Sequence, residues 1–231
     1  MWNRKELKAR GKERFLLSYW KCVLVAAILA AVTAGGAAGG ISSTYGSTAG
    51  VGFGSGGELS REQLAVITII VVIALFAACI GFAVRVFAYN PVMIGCRSFA
   101  MQNSKGPSSL KELGHGFKNG YWRIVKTMFL HDIFLVLWSL LFIIPGIIKS
   151  YSYRLVPYIL AEDPNISGTE AITRSRQMMN GQKWRTFVLD LSFILWNLLS
   201  AVTFGIVGIF YVAPYKMQTD AELYYAIKAQ Q

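Results

Sequence analysis

LAVITIIVVIALFAACIGFAV, residues 64–84, contains no charged side chain, and its length is enough to cross a lipid bilayer. In a helix, about 20 consecutive apolar residues span the hydrocarbon core of a membrane. Residues 22–41 are also free of charge. Buried helices of soluble proteins are usually shorter, and their apolar positions alternate with polar ones. The sequence therefore predicts an all-α protein, a polytopic bundle of membrane-spanning helices.

The composition and the charge distribution support the same class. The chain has 231 residues, of which 54% are hydrophobic and 15% are charged, whereas soluble domains carry about 25% charged residues. The net charge of +11 would suit nucleic-acid binding. However, the cations lie at the ends of the apolar stretches, where they can meet anionic lipid head groups. The expected partner is the lipid bilayer, and no nucleic acid is expected.

An aromatic residue beside a cation occurs before each of three apolar regions, and a proline follows each region. Such pairs anchor helix ends at a membrane surface. The six anchor residues are Trp20, Lys21, Trp122, Arg123, Trp184 and Arg185, and the prolines are Pro91, Pro157 and Pro214. The pattern predicts three hairpin repeats, at about 1–103, 104–164 and 165–231, within one integral membrane domain, 1–231.

The number of spans depends on two apolar regions that can be read in two ways. Spans at about 19–39 and 64–88 are plain, but 125–149 and 184–215 could each be one long span, which gives four in all. If they break at Pro145-Gly146 and near Gly205, the chain has six spans.

Lysine and arginine concentrate in the cytoplasmic loops of membrane proteins, and this rule favours six spans. In that arrangement the outer segments 40–63, 144–150 and 200–206 carry one, one and no Lys or Arg, respectively. The inner segments 1–21, 90–123, 163–185 and 215–231 carry seven, five, four and two. A four-span chain would expose Lys149, Arg154, Arg174, Arg176 and Lys183 outside. We therefore expect about six transmembrane helices and two cytoplasmic termini.

Short interfacial helices are predicted before each hairpin. Asn3…Glu6, Ser109…Glu112 and Ser167…Glu170 fit the capping box, which begins a helix. The expected helices cover about 4–15, 110–118 and 168–179. Asn119-Gly120 and Asn180-Gly181 are typical of helix C-termini and are expected to end the last two helices.

Two glycine patterns fall near the first outer loop, 40–63, which is rich in glycine and serine. Residues 52–57 match GxGxxG, but a dinucleotide site would need a strand before this motif and a helix after it, so a flexible loop is favoured. Gly35, Gly36, Gly39 and Gly40 form two overlapping GxxxG pairs, which suit close helix packing. This packing could lie within one subunit or between two copies.

Ionisable residues inside the predicted spans are the best candidate site, because a charge in hydrocarbon is costly and normally finds a partner. The candidate intramembrane polar core is His131, Asp132, Arg154 and Asp190. We expect Arg154, in the weakly apolar fourth span 147–161, to pair with Asp132 or Asp190. That span should be shielded by its neighbours. The core could form a structural ion pair or a proton or ion relay, and the sequence favours the structural role.

No catalytic, cofactor-binding or metal-binding motif is recognisable. The three cysteines, Cys22, Cys79 and Cys96, lack the spacing of a metal or redox site. His115 and His131 do not fit a zinc motif. The chain is therefore expected not to be an enzyme, and no cofactor is expected.

Several stretches of the second half form a recognisable set. They are Ile144-Pro145-Gly146-Ile147-Ile148-Lys149, Pro157-Tyr158-Ile159-Leu160-Ala161-Glu162-Asp163-Pro164, Glu170-Ala171-Ile172, Ser175-Arg176, Lys183-Trp184 and Pro214-Tyr215. Together they resemble the bacterial integral membrane family catalogued as domain of unknown function 975. The likeness covers the N-terminal basic helix and most of 110–225. It implies a multi-pass protein of the bacterial plasma membrane and implies no activity.

The functional expectation is therefore a non-enzymatic membrane scaffold or assembly partner, which binds a membrane protein or a second copy of this chain. The alternative is a transporter or channel for ions or small solutes that uses the intramembrane Asp/Arg core. Internal repeats and broken helices are common in transporters.

Overall fold

The computed structural model describes residues 2–38, 61–118 and 120–231, and the regular structure in these ranges is helical. The chain divides into two compact units, one made of Met1–Ala30 with Asn90–Gln231 and the other of Ala31–Tyr89. The GxGxxG motif and most of the predicted outer loop lie outside the described residues. So do Gly39 and Gly40 of the GxxxG pairs.

Helices account for most of the described chain. In order they are α1 (Arg4–Leu17), α2 (Tyr19–Ala38), α3 (Arg61–Val84), α4 (Asn90–Lys105), α5 (His115–Lys118), α6 (Tyr121–Leu141), α7 (Ile143–Tyr153), α8 (Val156–Glu162), α9 (Gly168–Met178), α10 (Lys183–Leu191), α11 (Ile194–Val202) and α12 (Ala213–Lys228). A 3₁₀ turn, Leu110–Gly114, precedes α5, and π-helical turns precede α4 and α12 at Arg85–Tyr89 and Gly208–Val212.

Three stretches of the described chain are long and apolar enough to cross a membrane: Arg61–Lys105, Tyr121–Leu141 and Lys183–Val202. A fourth candidate is the pair Arg4–Leu17 and Tyr19–Val32, which is bent by 100°. The all-helical class is confirmed. The predicted fourth and sixth spans are not among these membrane-length helices, so the structure does not establish six crossings.

The region 125–149 is broken, but three residues before the predicted Pro145-Gly146. The chain turns at Phe142, whose extended backbone (φ −161°, ψ 143°) ends α6 and begins α7. Pro145 lies in the first turn of α7, where its missing N–H costs no helical hydrogen bond. Gly146 lies close to Ser139 of α6, because an added Cβ would be 2.8 Å from the Ser139 hydroxyl oxygen. The two helices thus fold back on each other.

The region 184–215 is also broken, near Gly205 as predicted. The turn covers residues 203–205, where Phe204 and Gly205 have φ angles of 51° and 84°. Phe204 is 98% exposed, as expected for a residue at the tip of a hairpin. A shorter break at residues 192–193 separates α10 from α11.

The predicted fourth span is not one helix. It consists of α7 and α8, separated by a turn at Arg154 and Leu155. Residues 156–161 of α8 are all buried, so its shielding is confirmed for this half. Ile147 and Ile148 of α7 are half exposed.

The segments predicted as interfacial helices begin at their predicted caps, but the first extends to Leu17 and the second is a 3₁₀ turn followed by the short helix α5. The side chains of Asn3, Ser109 and Ser167 each accept a hydrogen bond from a backbone N–H of the helical turn that follows. Gly120 and Gly181 follow the second and third of these helical segments with φ angles of 66° and 74°. This left-handed conformation is the one that glycine adopts most readily.

The core of the unit Met1–Ala30 with Asn90–Gln231 is built from three helices, each with one of the three prolines in its first turn. Each proline is the second residue of its helix: Pro91 in α4, Pro157 in α8 and Pro214 in α12. Helix α4 packs against both α8 and α12. The interfacial segments pack on their outside: α1 on α12, residues 110–118 on α4, and α9 on α8.

Candidate functional site

An ion-pair cluster, defined by Arg154, Asp190, Lys216 and Asp220, joins three parts of the chain. Arg154 lies at the break between α7 and α8, and Asp190 lies at the end of α10. Lys216 and Asp220 are both on α12, four residues apart, so they share one face of that helix. The cluster therefore connects the second repeat predicted from the sequence with the third.

Arg154 holds the centre of the ion-pair cluster. Its Nη1 donates to Asp190 Oδ2 at 2.5 Å, and its Nη2 donates to Asp190 Oδ1 at 3.0 Å. The same Nη2 donates to Asp220 Oδ1 at 2.8 Å. The side chains of Arg154 and Asp220 are 18% and 10% exposed. A two-point arginine–carboxylate contact of this kind fixes orientation as well as charge.

Two further donors reach Asp190. Lys216 Nζ lies 2.5 Å from Asp190 Oδ1, and the Tyr151 hydroxyl donates to Asp190 Oδ2 at 3.0 Å. Lys216 Nζ is also 3.7 Å from Asp220 Oδ1. Two cations thus face two carboxylates, and these four residues are formally neutral together, with the charge of Arg97 acting on Asp220 from outside the cluster. Neutrality lowers the cost of removing these groups from water.

Asp132 and His131 do not join the ion-pair cluster. His131 Nδ1 lies 3.0 Å from Asp132 Oδ1, and the His131 ring contacts the Tyr153 ring edge-on at 6.0 Å between centroids. Of the two carboxylates expected as partners for Arg154, the structure brings Asp190 to it and leaves Asp132 with its neighbour. The two aspartates therefore have different environments.

The sequence analysis missed Lys216 and Asp220. Both follow Pro214 closely, where the last predicted span meets the C-terminal inner segment. The i, i+4 spacing of opposite charges was the available signal. Among the described residues, no group of three or more His, Cys, Asp or Glu side chains could hold a metal ion.

The predicted anchors show a common geometry. Trp20, Trp122 and Trp184 are 74%, 64% and 73% exposed, as an interfacial tryptophan requires. The cation after each tryptophan turns back to the protein and donates to a backbone carbonyl far away in sequence. The bonds run from Lys21 to Ser108 at 3.0 Å, from Arg123 to Asn165, and from Arg185 to Trp2 at 3.4 Å.

These three acceptor carbonyls occupy similar positions. Ser108 and Trp2 directly precede the N-cap residues Ser109 and Asn3, and Asn165 lies two residues before the N-cap Ser167. Each anchor cation therefore holds the entrance of the next interfacial segment, and the last anchor holds the first. The sequence pattern of repeated anchors gave no indication of this cyclic order.

A second polar group ties the C-terminal helix to the end of α8. The Tyr224 hydroxyl donates to Glu162 Oε2 at 2.6 Å, and Lys228 Nζ lies 2.5 Å from Glu162 Oε1. Burial raises the pKa of the Glu162 carboxyl, but these hydrogen bonds outweigh it and bring the pKa below its ordinary value. Burial and the adjacent Glu162 raise the pKa of Tyr224.

The comparisons with known proteins give one match. Residues 123–231 match the family described as "Protein of unknown function (DUF975)", which confirms the resemblance over the second half of the chain. No curated protein and no solved structure matches the chain.

Proposed function

We propose that the protein is a multi-pass protein of the bacterial plasma membrane that serves as a non-enzymatic scaffold or assembly partner. The single observation that carries this proposal is the cyclic set of bonds from the anchor cations Lys21, Arg123 and Arg185. They tie the anchors and the interfacial segments of the unit Met1–Ala30 with Asn90–Gln231 to one another. A base held in this way, with the apolar hairpins of that unit, is suited to presenting a fixed surface to a membrane partner.

The proposed topology has six crossings arranged as three hairpins, with both termini in the cytoplasm. The breaks at Phe142 and at residues 203–205 support it, because each divides a long apolar region into two arms. The Lys and Arg distribution supports it as well. The α7–α8 arm and the final arm fall short of membrane length as single helices, so on this topology neighbouring helices shield their polar ends.

The ion-pair cluster supports a structural role over a transport role. Asp190 accepts hydrogen bonds from Arg154, Lys216 and Tyr151. To bind and release a proton or a cation, Asp190 would have to give up several of these bonds. Leaving one member of a buried pair without its partner costs several kcal/mol, about 3–5 in measured cases.

Transport remains the second candidate function, and one observation favours it. The Lys216 and Asp190 side chains are 32% and 23% exposed, so one side of the ion-pair cluster lies open at the protein surface. A path that uses the cluster would start there.

Cysteine labelling on intact cells tests the topology. In a chain without Cys22, Cys79 and Cys96, we introduce Gln177→Cys at an exposed position of α9 or Phe204→Cys at the hairpin tip. An impermeant thiol reagent should label position 204 on intact cells, and position 177 only after permeabilisation. Labelling of position 177 on intact cells would refute the proposed topology.

Flux measurements separate scaffold from transporter. Vesicles with purified protein and an internal pH or cation indicator should show no flux above that of protein-free vesicles. The folded double variant Arg154→Met/Asp190→Leu, with thermal unfolding as its control, should behave in the same way. Flux that the wild type supports and the folded double variant loses would establish the transporter and refute the scaffold.

A further inference from the structure

A cleft of about 580 Å³ lies where the N-terminal segment meets the third anchor. We name it the junction cleft and define it by Trp2, Arg4, Lys5, Trp184 and Arg185, which line it. The cleft is formed by the start of α1 and the start of α10, two segments far apart in sequence. It exists because the last repeat closes on the first.

The junction cleft is positively charged. Three of its lining side chains are cations, and none is acidic. The nearest acid along α1, Glu6, pairs with Arg10. Arg4 and Lys5 are exposed. Burial and the adjacent Arg4 lower the pKa of Lys8, which is consistent with a local excess of positive charge. Such a cleft favours an anion.

The junction cleft is held by specific contacts. Trp2 Nε1 donates to Gln182 Oε1 at 2.9 Å, which fixes the indole. Arg185 donates to the Trp2 carbonyl, and its guanidinium lies 5.8 Å from the centre of the Trp2 ring. On the other wall, Trp184 stacks on Phe187 at 5.3 Å between centroids. Two ring systems therefore border the cations.

The wall that Trp184 provides continues as an apolar face. Trp184, Val188 and Leu191 follow one another at spacings of four and three on α10, so they lie on one side of the helix. Trp184 and Leu191 are 73% and 49% exposed. A ligand that fits both parts has an anionic phosphate beside hydrocarbon chains, which is the chemistry of a phospholipid.

A similar cleft recurs at the next junction of the cyclic arrangement. It measures about 440 Å³, and its lining includes Arg14, Tyr19, Trp20, Lys21 and Pro107. It combines an exposed tryptophan with two cations, whereas the junction cleft has three. The same side-chain types therefore meet at two of the three junctions of the cyclic arrangement, although different residues form each of them.

We propose that the junction cleft binds the phosphate of an anionic phospholipid of the inner leaflet, with Arg4, Lys5 and Arg185 as its cationic ligands. Trp2 and Trp184 border the head group, and the acyl chains follow the exposed face of α10. This inference rests on the proposed membrane location. It assigns to the chain a lipid site of defined chemistry.

The test uses full-length protein in a neutral detergent. Trp20, Trp122, Trp138 and Trp196 are replaced by Phe, so that tryptophan emission reports Trp2 and Trp184 alone. Titration with dioctanoyl phosphatidylglycerol should change this emission saturably. Each cation near an anionic lipid contributes about 1 kcal/mol, so Arg4→Gln/Lys5→Gln should weaken binding roughly thirtyfold.

The matched control is Lys12→Gln/Arg176→Gln, which removes the same charge from exposed positions outside the junction cleft. The control should bind within about twofold of the starting protein. An equal loss in both double variants would show general charge attraction and overturn the site. Thermal unfolding checks that both variants are folded.

Two other ligands test whether the bound phosphate belongs to an anionic lipid. Dioctanoyl phosphatidylcholine and free glycerol phosphate should each bind far more weakly than phosphatidylglycerol. Equal binding of phosphatidylcholine would refute the anionic requirement, and equal binding of glycerol phosphate would refute a lipid ligand. The intact-cell labelling does not depend on this titration, so a wrong topology and a wrong lipid site give distinguishable failures.

Discussion

Helix α3 is apolar but exposed, whereas helix α12 is more polar but largely buried. Helix α3 carries charges only at Arg61 and Glu62, and none of its residues is buried. Helix α12 carries four charged residues, yet ten of its sixteen residues are buried. The most apolar helix is therefore exposed, and a mixed one forms the core. In a membrane protein, apolar surface can face lipid, and helices associate through packing and polar contacts.

The same contrast occurs within the unit that contains α12. Leu140 and Phe142, at the α6–α7 turn, are 80% and 68% exposed, whereas Leu160 of α8 is fully buried. Stability should therefore reside in the helices that follow the prolines and in their polar contacts. Truncating apolar side chains at the exposed hairpin tips should change the free energy of unfolding little in detergent, because detergent covers these side chains in place of lipid.

Loss of Arg154 should have the largest effect on stability. Arg154→Met removes the guanidinium that Asp190 and Asp220 share. Lys216 stays in contact with both carboxylates and the charge of Arg97 acts on Asp220, but neither cation replaces the lost hydrogen bonds. Breaking a buried ion pair costs about 3–5 kcal/mol, and we expect the free energy of unfolding to fall by that amount. Titration with a denaturing detergent, followed by circular dichroism, measures it.

Arg176→Met is the matched control for Arg154→Met, because Arg176 is exposed on α9. It should change the free energy of unfolding by no more than about 0.5 kcal/mol. Similar losses in the two variants would mean that the ion-pair cluster does not stabilise the core, and the contrast between α3 and α12 would then have another cause.

Two leucine truncations compare the buried and exposed regions directly. Leu160→Ala should lower the free energy of unfolding by about 2–5 kcal/mol, since it opens a cavity in a packed site. Leu140→Ala should have an effect below about 0.5 kcal/mol in detergent. Comparable losses at both positions would indicate that the tip around Leu140 packs against protein in solution, for example in a dimer.

The helical class and most helix ends could be predicted from the sequence. These features depend on neighbouring residues, so they can be recognised without knowing the fold. They are the apolar stretches, the capping residues, Gly120 and Gly181. The Phe142 turn was misplaced by three residues for a physical reason. Proline is compatible with the first turn of a helix as well as with a break, so Pro145 alone does not locate the turn.

The candidate site could be predicted only in part, because its partners are far apart in sequence. The free-energy cost of a charge in hydrocarbon indicated that Arg154 and Asp190 need partners, but it does not identify those partners. Asp132 was an equally reasonable choice, and Asp220 was not considered as a partner. The bond from Arg185 to Trp2 depends on how the last repeat meets the first, which no local pattern encodes.

A glycine substitution tests the close contact between α1 and α12. An added Cβ at Gly11 would lie 2.6 Å from Thr219 Oγ1 and 2.9 Å from the Thr219 Cα. Gly11→Ala should therefore cost about 1–3 kcal/mol through overpacking, measured by the same detergent titration. At Gly81 of α3 an added Cβ meets no atom within 4 Å. Gly81→Ala should therefore stabilise by up to about 1 kcal/mol, and destabilisation there would contradict the open face assigned to α3.

The smallest expected effect is a pH dependence from the Glu162 contacts with Tyr224 and Lys228. The pKa of Glu162 lies below its ordinary value of 4.5 in the folded chain, so the carboxylate stabilises the fold above pH 4.5. This contribution, about 1 kcal/mol for a partly exposed pair, is lost as the pH falls through the folded pKa. Glu162→Gln should lower stability at pH 7 and flatten its decline below pH 4.5. Glu13→Gln, at an exposed position of α1, should leave both unchanged, and an equal flattening there would show that Glu162 contributes nothing specific.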